Sequence, residues 1–297
     1  MDAMDATPLA VVVAPRARAA DFVALTKPRI TLLVLVTAAV GFALGARGGI
    51  DPGALAALLA GTALVSSGAS ALNQYAEREA DGRMERTRRR PLPSGRIAPG
   101  DALAFGLVLS AGGLGLLASV NWATYLLGAA ALGSYVLAYT PLKRVTSLCT
   151  VVGAIPGAIP PLMGWTASRG ALEPGGWALF AVLFLWQLPH FLAIGWMYRE
   201  DYARGGFPML TVTDPDGRST GRQAVLYAAA LVPVTLVTGA FASAGAAFLW
   251  GALLFGAAFL ACAVGFARSR SLAAARRLFA ASILYLPAVL GLMVFDR

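Results

Sequence analysis

The chain of 297 residues is strongly apolar, because 58% of its residues are hydrophobic and only 13% are charged. This composition excludes an ordinary soluble globular domain and favours lipid as the solvent. The formal net charge is +9, but the arginines stand in short connections between apolar runs, which argues against a nucleic acid as the partner.

Apolar runs of about 20 residues, the length that a helix needs to cross a bilayer core, recur along almost the whole chain. We therefore predict an all-α polytopic membrane protein with about nine transmembrane helices arranged around a central cavity. We expect residues 1–20 to form a disordered tail and residues 21–297 to form one integral membrane domain. The predicted spans are residues 30–48, 53–75, 101–119, 121–139, 148–166, 176–198, 223–242, 245–266 and 277–295.

The basic residues predict the orientation of the chain. Of the 24 lysines and arginines, all except Arg47, Arg169 and Arg297 fall in the N-terminal tail or in every second connection. Cytoplasmic connections carry the excess of basic residues in membrane proteins. We expect a cytoplasmic N-terminus and, after an odd number of crossings, a C-terminus outside, in a bacterial inner membrane.

Lys27 and Arg29 stand in the motif LTKPRIT at the predicted cytoplasmic entrance of the first span. Such residues often only snorkel or contact lipid headgroups. They indicate a site only if other polar residues reach the same end of the bundle.

The second span runs into ALNQYAEREADGRMERTRRRPLPSGRI, where Asn73, Glu77 and Asp81 follow one another at intervals of four. This spacing places three oxygen-bearing side chains on one helix face. Carboxylates repel each other at this spacing and are unfavourable at the negative end of a helix, so we expect a cation nearby. Arginines follow at once and bind phosphate well, whereas Mg²⁺ prefers carboxylate and carbonyl oxygens. The pattern favours a metal and diphosphate site, although a salt-bridged loop remains the simpler alternative.

Two later connections are predicted to reach the same side. YTPLKRVTS, between the fourth and fifth spans, brings Tyr139, Lys143 and Arg144. The end of the sixth span, MYREDYARGGFPM, brings Glu200 and Asp201. A solvated helix end remains an alternative for these two acids.

Two features inside the membrane complete the pattern. The fifth span contains Pro156, Pro160 and Pro161, so we expect a broken or kinked helix that lines a cavity. His190, the single histidine, lies inside the sixth span, where ionisable residues usually face a cavity. Substrate contact, proton transfer, iron ligation and plain packing all remain open for His190.

The chain resembles the intramembrane UbiA-type prenyltransferases over nearly its whole length. The resemblance is carried by LTKPRIT, NQYAEREADGRMERTRRRPLPSGRI, YTPLKRVT, GAIPGAIPPLMGW and WQLPHFLAIGWMYREDYARGGFPML. The Asn-Glu-Asp stripe is typical of the wider family, whereas RTRRRPLPSGRI and the block from PHF to DYARGGFPM resemble its haem-modifying branch.

The resemblance implies transfer of the farnesyl chain of farnesyl diphosphate to a vinyl group of haem B, giving haem O and diphosphate. It implies Mg²⁺ as cofactor, haem B as a substrate, and haem A synthase or terminal oxidase assembly factors as protein partners. The implied catalytic residues are Asn73, Glu77, Asp81 and His190, and the implied metal ligands are Asn73, Glu77, Asp81 and Asp201. The implied substrate-binding residues are Lys27, Arg29, Arg86, Arg90, Tyr139, Lys143, Arg144, Tyr198 and Asp201.

Two departures from the family pattern leave alternatives. Glu77 stands where many relatives carry aspartate, and the sixth span lacks the spaced aspartates of the quinone-forming branch. Prenylation of an aromatic or chlorin acceptor would be expected to need those aspartates. A transporter of haem or another small molecule would suit many helices and a broken fifth span, but it does not explain the stacked acids.

Overall fold

The computed structural model describes residues 17–296, and every regular element within that range is helical. A π-helical segment, Ser134–Tyr139, lies between the helices Trp122–Gly133 and Thr140–Leu142. The helices are α1 (Ala19–Leu25), α2 (Pro28–Gly45), α3 (Pro52–Arg83), α4 (Pro99–Val120), α5 (Trp122–Gly133), α6 (Thr140–Leu142), α7 (Cys149–Arg169), α8 (Pro174–Met197), α9 (Arg199–Gly205), α10 (Leu210–Thr213), α11 (Arg218–Phe241), α12 (Ala246–Ser269) and α13 (Leu272–Phe295).

Eight elements in the described part of the chain are long and apolar enough to cross a membrane. They are α2, α3, α4, the run Trp122–Leu142, α8, α11, α12 and α13. The remaining predicted span corresponds to α7, which has 21 residues and packs between α2 and α8. The all-α class and the approximate count of nine spans are confirmed. The predicted tail falls mostly on residues 1–16, which lie outside the described residues.

Helix α3 is much longer than its predicted span. It has 32 residues, and Asp51 is its N-cap. The Asp51 carboxylate accepts hydrogen bonds from the backbone N–H groups of Gly53 and Ala54. At about 1.5 Å per residue the helix exceeds a bilayer core of roughly 30 Å. Its last turns, which carry the acidic stripe, therefore extend beyond the apolar layer.

Helix α7 is continuous through its three prolines, so of the expected break or kink in the fifth span the break was wrong. Close packing against α2 holds it in place. A Cβ atom on Gly164 would lie 1.9 Å from the Ala38 carbonyl oxygen, and one on Gly41 would lie 2.0 Å from that of Pro161. Only glycine permits backbones to approach this closely, so the backbones of α2 and α7 are in direct contact at these two positions.

A polar layer covers the end of the bundle where α3 stops. Gln74 on α3 donates a hydrogen bond to the Leu25 carbonyl of α1 (2.8 Å). In the connection formed by residues 84–98, Arg96 pairs with Asp21 of α1 (2.8 Å), and this hydrogen bond holds the pKa of Asp21 below its usual value. These contacts fix the position of Lys27, which follows α1.

Candidate active site

The oxygen-bearing stripe of α3 faces the protein interior. Asn73, Glu77 and Asp81 are 4%, 2% and 1% exposed, respectively. A bare carboxylate at this depth is strongly unfavourable unless it is paired. The stripe is therefore built to meet cations and not to face lipid or bulk solvent.

Three segments each deliver one cation to the stripe. The Lys143 ammonium, just after α6, donates to both Glu77 carboxylate oxygens at 2.9 and 3.1 Å. In the connection 84–98, Arg90 donates to Asp81 Oδ2 at 2.7 Å. Lys27, at the entrance of α2, lies with its Nζ 3.5 Å from Asn73 Oδ1. The predicted convergence of basic segments on one end of the bundle is thus present in the structure.

The pKa values of the two lysines near the stripe shift in opposite directions. Burial, together with the nearby Arg90 charge, lowers the pKa of Lys27 from 10.5 to about 8. Burial acts in the same direction on Lys143, but the Glu77 carboxylate outweighs it and raises the pKa of Lys143. Lys27 therefore lacks a full counter-charge, and an arriving anion would supply it.

Asp81 keeps one carboxylate oxygen free. Its Oδ1 atom is buried and has no hydrogen-bond partner among the described residues, although buried polar atoms are normally satisfied. No group of three or more histidine, cysteine, aspartate or glutamate side chains forms a ready metal cage within residues 17–296. The stripe instead offers two carboxylates and one amide, an oxygen set that suits Mg²⁺ completed by water and phosphate oxygens. These residues fit a magnesium ion.

The Lys27 backbone adopts the left-handed conformation, with φ 48° and ψ 61°. This region is unfavourable for a residue other than glycine, asparagine or aspartate. The carbonyl of Lys27 accepts hydrogen bonds from the N–H groups of Ile30 and Thr31, which fix the turn. Strain of this kind is often found at functional sites.

Tyr139 ends the π-helical segment beside the stripe. Its ring packs over Gly153 of α7, where a Cβ atom would lie 2.6 Å from the ring. The centroids of the Tyr135 and Tyr139 rings are 5.3 Å apart, and Lys143 Nζ lies 5.9 Å from the Tyr139 ring. Isolated π-helical turns are frequent at functional sites, and this one brings two phenols next to the charged cluster.

Asp201 reaches the end of α3, but its carboxylate already has partners. It accepts hydrogen bonds from the backbone N–H groups of Glu85 (3.1 Å) and Arg86 (3.3 Å), and it pairs with Arg204. Burial raises the pKa of Asp201, but these donors outweigh burial, so the net shift is downward. In this structure Asp201 holds the connection 84–98 against α9, whereas Glu200 is exposed.

The other predicted substrate-binding residues lie at the margin. Arg86 stacks over the Tyr198 ring (5.2 Å) and the Tyr202 ring (5.9 Å). Arg144 donates to the Ala76 carbonyl of α3 at 2.6 Å. Arg29 is exposed, and no ion pair among the described residues includes it. The structure therefore brings Arg86, Tyr198 and Arg144 near α3 or its following connection, but not Arg29.

The His190 ring is held by one hydrogen bond and by two aromatic neighbours. Its Nδ1 lies 2.7 Å from the Ser282 hydroxyl, which donates its own hydrogen to the Phe279 carbonyl at 2.6 Å. Ser282 must therefore accept a hydrogen bond from His190 Nδ1–H, which leaves Nε2 with a lone pair in the neutral ring. The ring stacks between Trp186 (5.1 Å) and Phe279 (5.0 Å). His190 is thus held as a potential ligand or base.

Sequence reasoning missed Thr140, Tyr135 and Ser282. Thr140 contacts Asn73, Tyr135 stacks near Tyr139, and Ser282 orients His190. No spacing rule marks these residues, because each acts through a tertiary contact or through the π-helical turn. The nearest signal was the position of Thr140 inside the motif YTPLK.

Comparison with known proteins agrees with this architecture. Residues 34–286 match the UbiA prenyltransferase family. A protein named protoheme IX farnesyltransferase from Solibacter usitatus is 50% identical over 287 residues, which cover 93% of this chain and 98% of that protein.

Two solved structures share the fold. A digeranylgeranylglyceryl phosphate synthase in membranes has a TM-score of 0.79 at 15% identity, covering 93% of this chain and 97% of its own. A UbiA homolog from Archaeoglobus fulgidus bound to GPP and Mg²⁺ has a TM-score of 0.64 at 15% identity, covering 92% and 99%. By its sequence and its fold, this chain belongs to the UbiA prenyltransferase family.

Proposed function

We propose that this chain transfers the farnesyl group of farnesyl diphosphate to a vinyl group of haem B, forming haem O and releasing diphosphate. The observation that carries the proposal is the buried stripe of Asn73, Glu77 and Asp81, which meets cations from three separate segments. The relative from Solibacter usitatus, which carries the name of this activity, supports the choice of donor and acceptor.

Magnesium is the proposed cofactor, held by Asn73, Glu77 and Asp81, with Asp201 as a further predicted ligand. The unpartnered Asp81 Oδ1 supports this assignment, as does the Mg²⁺ bound with GPP in the Archaeoglobus fulgidus homolog. When bound, Mg²⁺ would neutralise negative charge on the leaving diphosphate.

Lys27, Arg90 and Lys143 would hold the diphosphate oxygens. Arg90 can bind two phosphate oxygens through its planar fork, whereas the lysines act as point charges. Arg86, Arg144 and Tyr198 remain proposed contacts at the margin, and Tyr139 remains a proposed contact beside the stripe. Arg29 remains a predicted contact, although its side chain is exposed in the structure. Preorganised cations in a dry site stabilise the charge that develops when the carbon–oxygen bond of the farnesyl donor breaks.

The farnesyl carbon would then accept the electron pair of the haem vinyl group. Water adds to the resulting cation and loses a proton, which leaves a hydroxyethylfarnesyl substituent. The buried site would keep water away from the allylic cation until the new carbon–carbon bond has formed. His190, with its free Nε2 and its aromatic neighbours Trp186 and Phe279, is the residue proposed to contact haem B.

The distribution of basic residues supports a cytoplasmic N-terminus and a C-terminus outside in a bacterial inner membrane. The diphosphate site would then face the cytoplasm. Haem A synthase or terminal oxidase assembly factors are the proposed receivers of the product. Labelling of single cysteines placed in the connection 84–98 by a membrane-impermeant thiol reagent tests the orientation: labelling in intact cells would refute it.

Incubation of membranes containing the full chain with haem B, farnesyl diphosphate and Mg²⁺ tests the activity. Chromatography and mass spectrometry of the extracted haems should reveal a more hydrophobic haem that requires both the donor and the metal. Removal of Mg²⁺ by a chelator should abolish it. If no farnesylated haem forms with Mg²⁺ or Mn²⁺ while an aromatic acceptor is prenylated, the acceptor assignment is wrong.

A further inference from the structure

A buried hydrogen-bond chain connects the stripe to the π-helical segment. Asn73 Nδ2 lies 3.1 Å from the Thr140 hydroxyl, and that hydroxyl lies 2.8 Å from the Tyr135 carbonyl oxygen. Thr140 is 3% exposed. The three groups come from two separate parts of the chain, 67 residues apart at the Asn73–Thr140 contact.

The donors and acceptors of this series of hydrogen bonds can be arranged in only one way. A threonine hydroxyl has one hydrogen to donate, and the Tyr135 carbonyl can only accept it. The Thr140 oxygen must therefore accept from Asn73, which places the amide NH₂ group toward Thr140. On the other side of the amide, Lys27 can only donate, so it requires the Asn73 oxygen. Lys27 and Thr140 therefore require the same orientation of the Asn73 amide.

The π-helical turn keeps Thr140 in place even without its hydroxyl. The Tyr135 carbonyl also accepts a hydrogen bond from the Thr140 backbone N–H, which closes the wide turn. Loss of the hydroxyl would therefore spare the backbone but remove the acceptor that holds the Asn73 amide. The amide could then rotate and present its NH₂ group to the cation site.

We infer that Thr140 is a positioning residue for the metal site: its hydroxyl holds Asn73 so that Oδ1 faces Lys27 and the magnesium diphosphate. The inference rests on the proposed function. It extends that function to Thr140, which would not bind Mg²⁺ itself but would determine whether Asn73 presents its oxygen or its NH₂ group to the Mg²⁺ site. Outer partners of metal ligands typically change metal affinity by about 10–100-fold when removed.

The test compares Thr140→Val, which removes the hydroxyl at nearly constant volume, with Thr140→Ser, which keeps it. The full chain in bilayer nanodiscs is titrated with Mg²⁺ at a fixed concentration of inorganic diphosphate, and binding is followed by calorimetry. Thr140→Val should raise the half-saturating Mg²⁺ concentration by about tenfold or more. Thr140→Ser should stay within about twofold of the native chain, and farnesyl transfer should shift in the same way.

Two controls separate positioning from general destabilisation. Thr235 on α11 is equally buried and its hydroxyl lies 2.7 Å from the Tyr285 hydroxyl, so Thr235→Val should leave the Mg²⁺ requirement unchanged. In an Asn73→Ala background, Thr140→Val should have no further effect, because its action passes through Asn73.

A native Mg²⁺ requirement in Thr140→Val would overturn the inference. So would equal shifts in Thr140→Ser or Thr235→Val, or an additive shift in the Asn73→Ala background. Absence of Mg²⁺-dependent diphosphate binding by the native chain would overturn the proposed function as well, which distinguishes the two failures.

Discussion

The buried pair of Glu77 and Lys143 offers a way to separate stability from metal binding. The Glu77 and Lys143 side chains are 2% and 11% exposed, respectively. Removal of one partner of such a pair leaves an uncompensated charge and costs about 3–5 kcal/mol. Glu77→Gln and Lys143→Met should therefore each lower the midpoint of thermal unfolding by roughly 6–10 °C, at about 2 °C per kcal/mol for a chain of this size.

The double variant Glu77→Gln with Lys143→Met should recover most of that loss, because no unpaired charge remains. Calorimetry of Mg²⁺ and diphosphate binding should nevertheless fail in the double variant, because both the ligand and the phosphate contact are gone. Stability is measured in detergent with and without diphosphate. A double variant that is restored in stability and also binds Mg²⁺-diphosphate like the native chain would show that this pair is only structural.

Four further predictions probe the site. Asp81→Asn should reduce farnesyl transfer by more than about a hundredfold while membrane levels stay native, because it removes the charge of the carboxylate with a free oxygen; full turnover in the haem assay would remove the metal assignment. His190→Ala should weaken haem binding, followed by absorption spectra, more than diphosphate binding; equal loss of both would indicate packing alone. The pKa of Lys27 is lowered to about 8, and a bound anion favours the protonated amine. Diphosphate affinity should therefore fall above about pH 8, by at most about tenfold per pH unit. Lys27→Arg should remove that fall, and a Lys27→Arg variant with the same pH dependence as the native chain would contradict the prediction. Gly153→Ala should displace the Tyr139 ring and raise KM for the farnesyl donor. Gly133→Ala should leave KM unchanged, because no atom lies within 4 Å of the added carbon. Equal changes of KM in the two variants would show that the contact between Gly153 and the Tyr139 ring does not matter.

The sequence was sufficient to predict the class of fold and the face of the acidic stripe. The intervals of four between Asn73, Glu77 and Asp81 determine a helix face, and the apolar runs determine the spans, because both depend on local periodicity. Hydropathy alone ended the second span at residue 75, because the last two turns of α3 are polar. The spacing of the stripe already required the helix to continue to Asp81, and α3 ends at Arg83.

The pairing of charges could not be predicted from local rules. The cation that neutralises Glu77 is Lys143, 66 residues away. Among the six arginines of residues 83–96, it is Arg90 that binds Asp81. Proline propensity predicted a break in α7, but α2 and α8 enclose this helix, so its packing overrides the local preference. The orientation of Asn73 by Thr140 likewise arises only when two distant segments meet.

The central claim is that Asn73, Glu77 and Asp81 hold a metal ion against the diphosphate of the substrate. Anomalous diffraction from crystals grown with Mn²⁺ and a non-hydrolysable farnesyl thiodiphosphate measures the position of that ion directly. We predict a peak about 2.0–2.3 Å from Asp81 Oδ1, on the face of α3 that carries Asn73 and Glu77, and a bound diphosphate beside Lys27, Arg90 and Lys143. A peak confined to Glu200 and Asp201, or a diphosphate bound by the cations with no metal at the stripe, would contradict the claim.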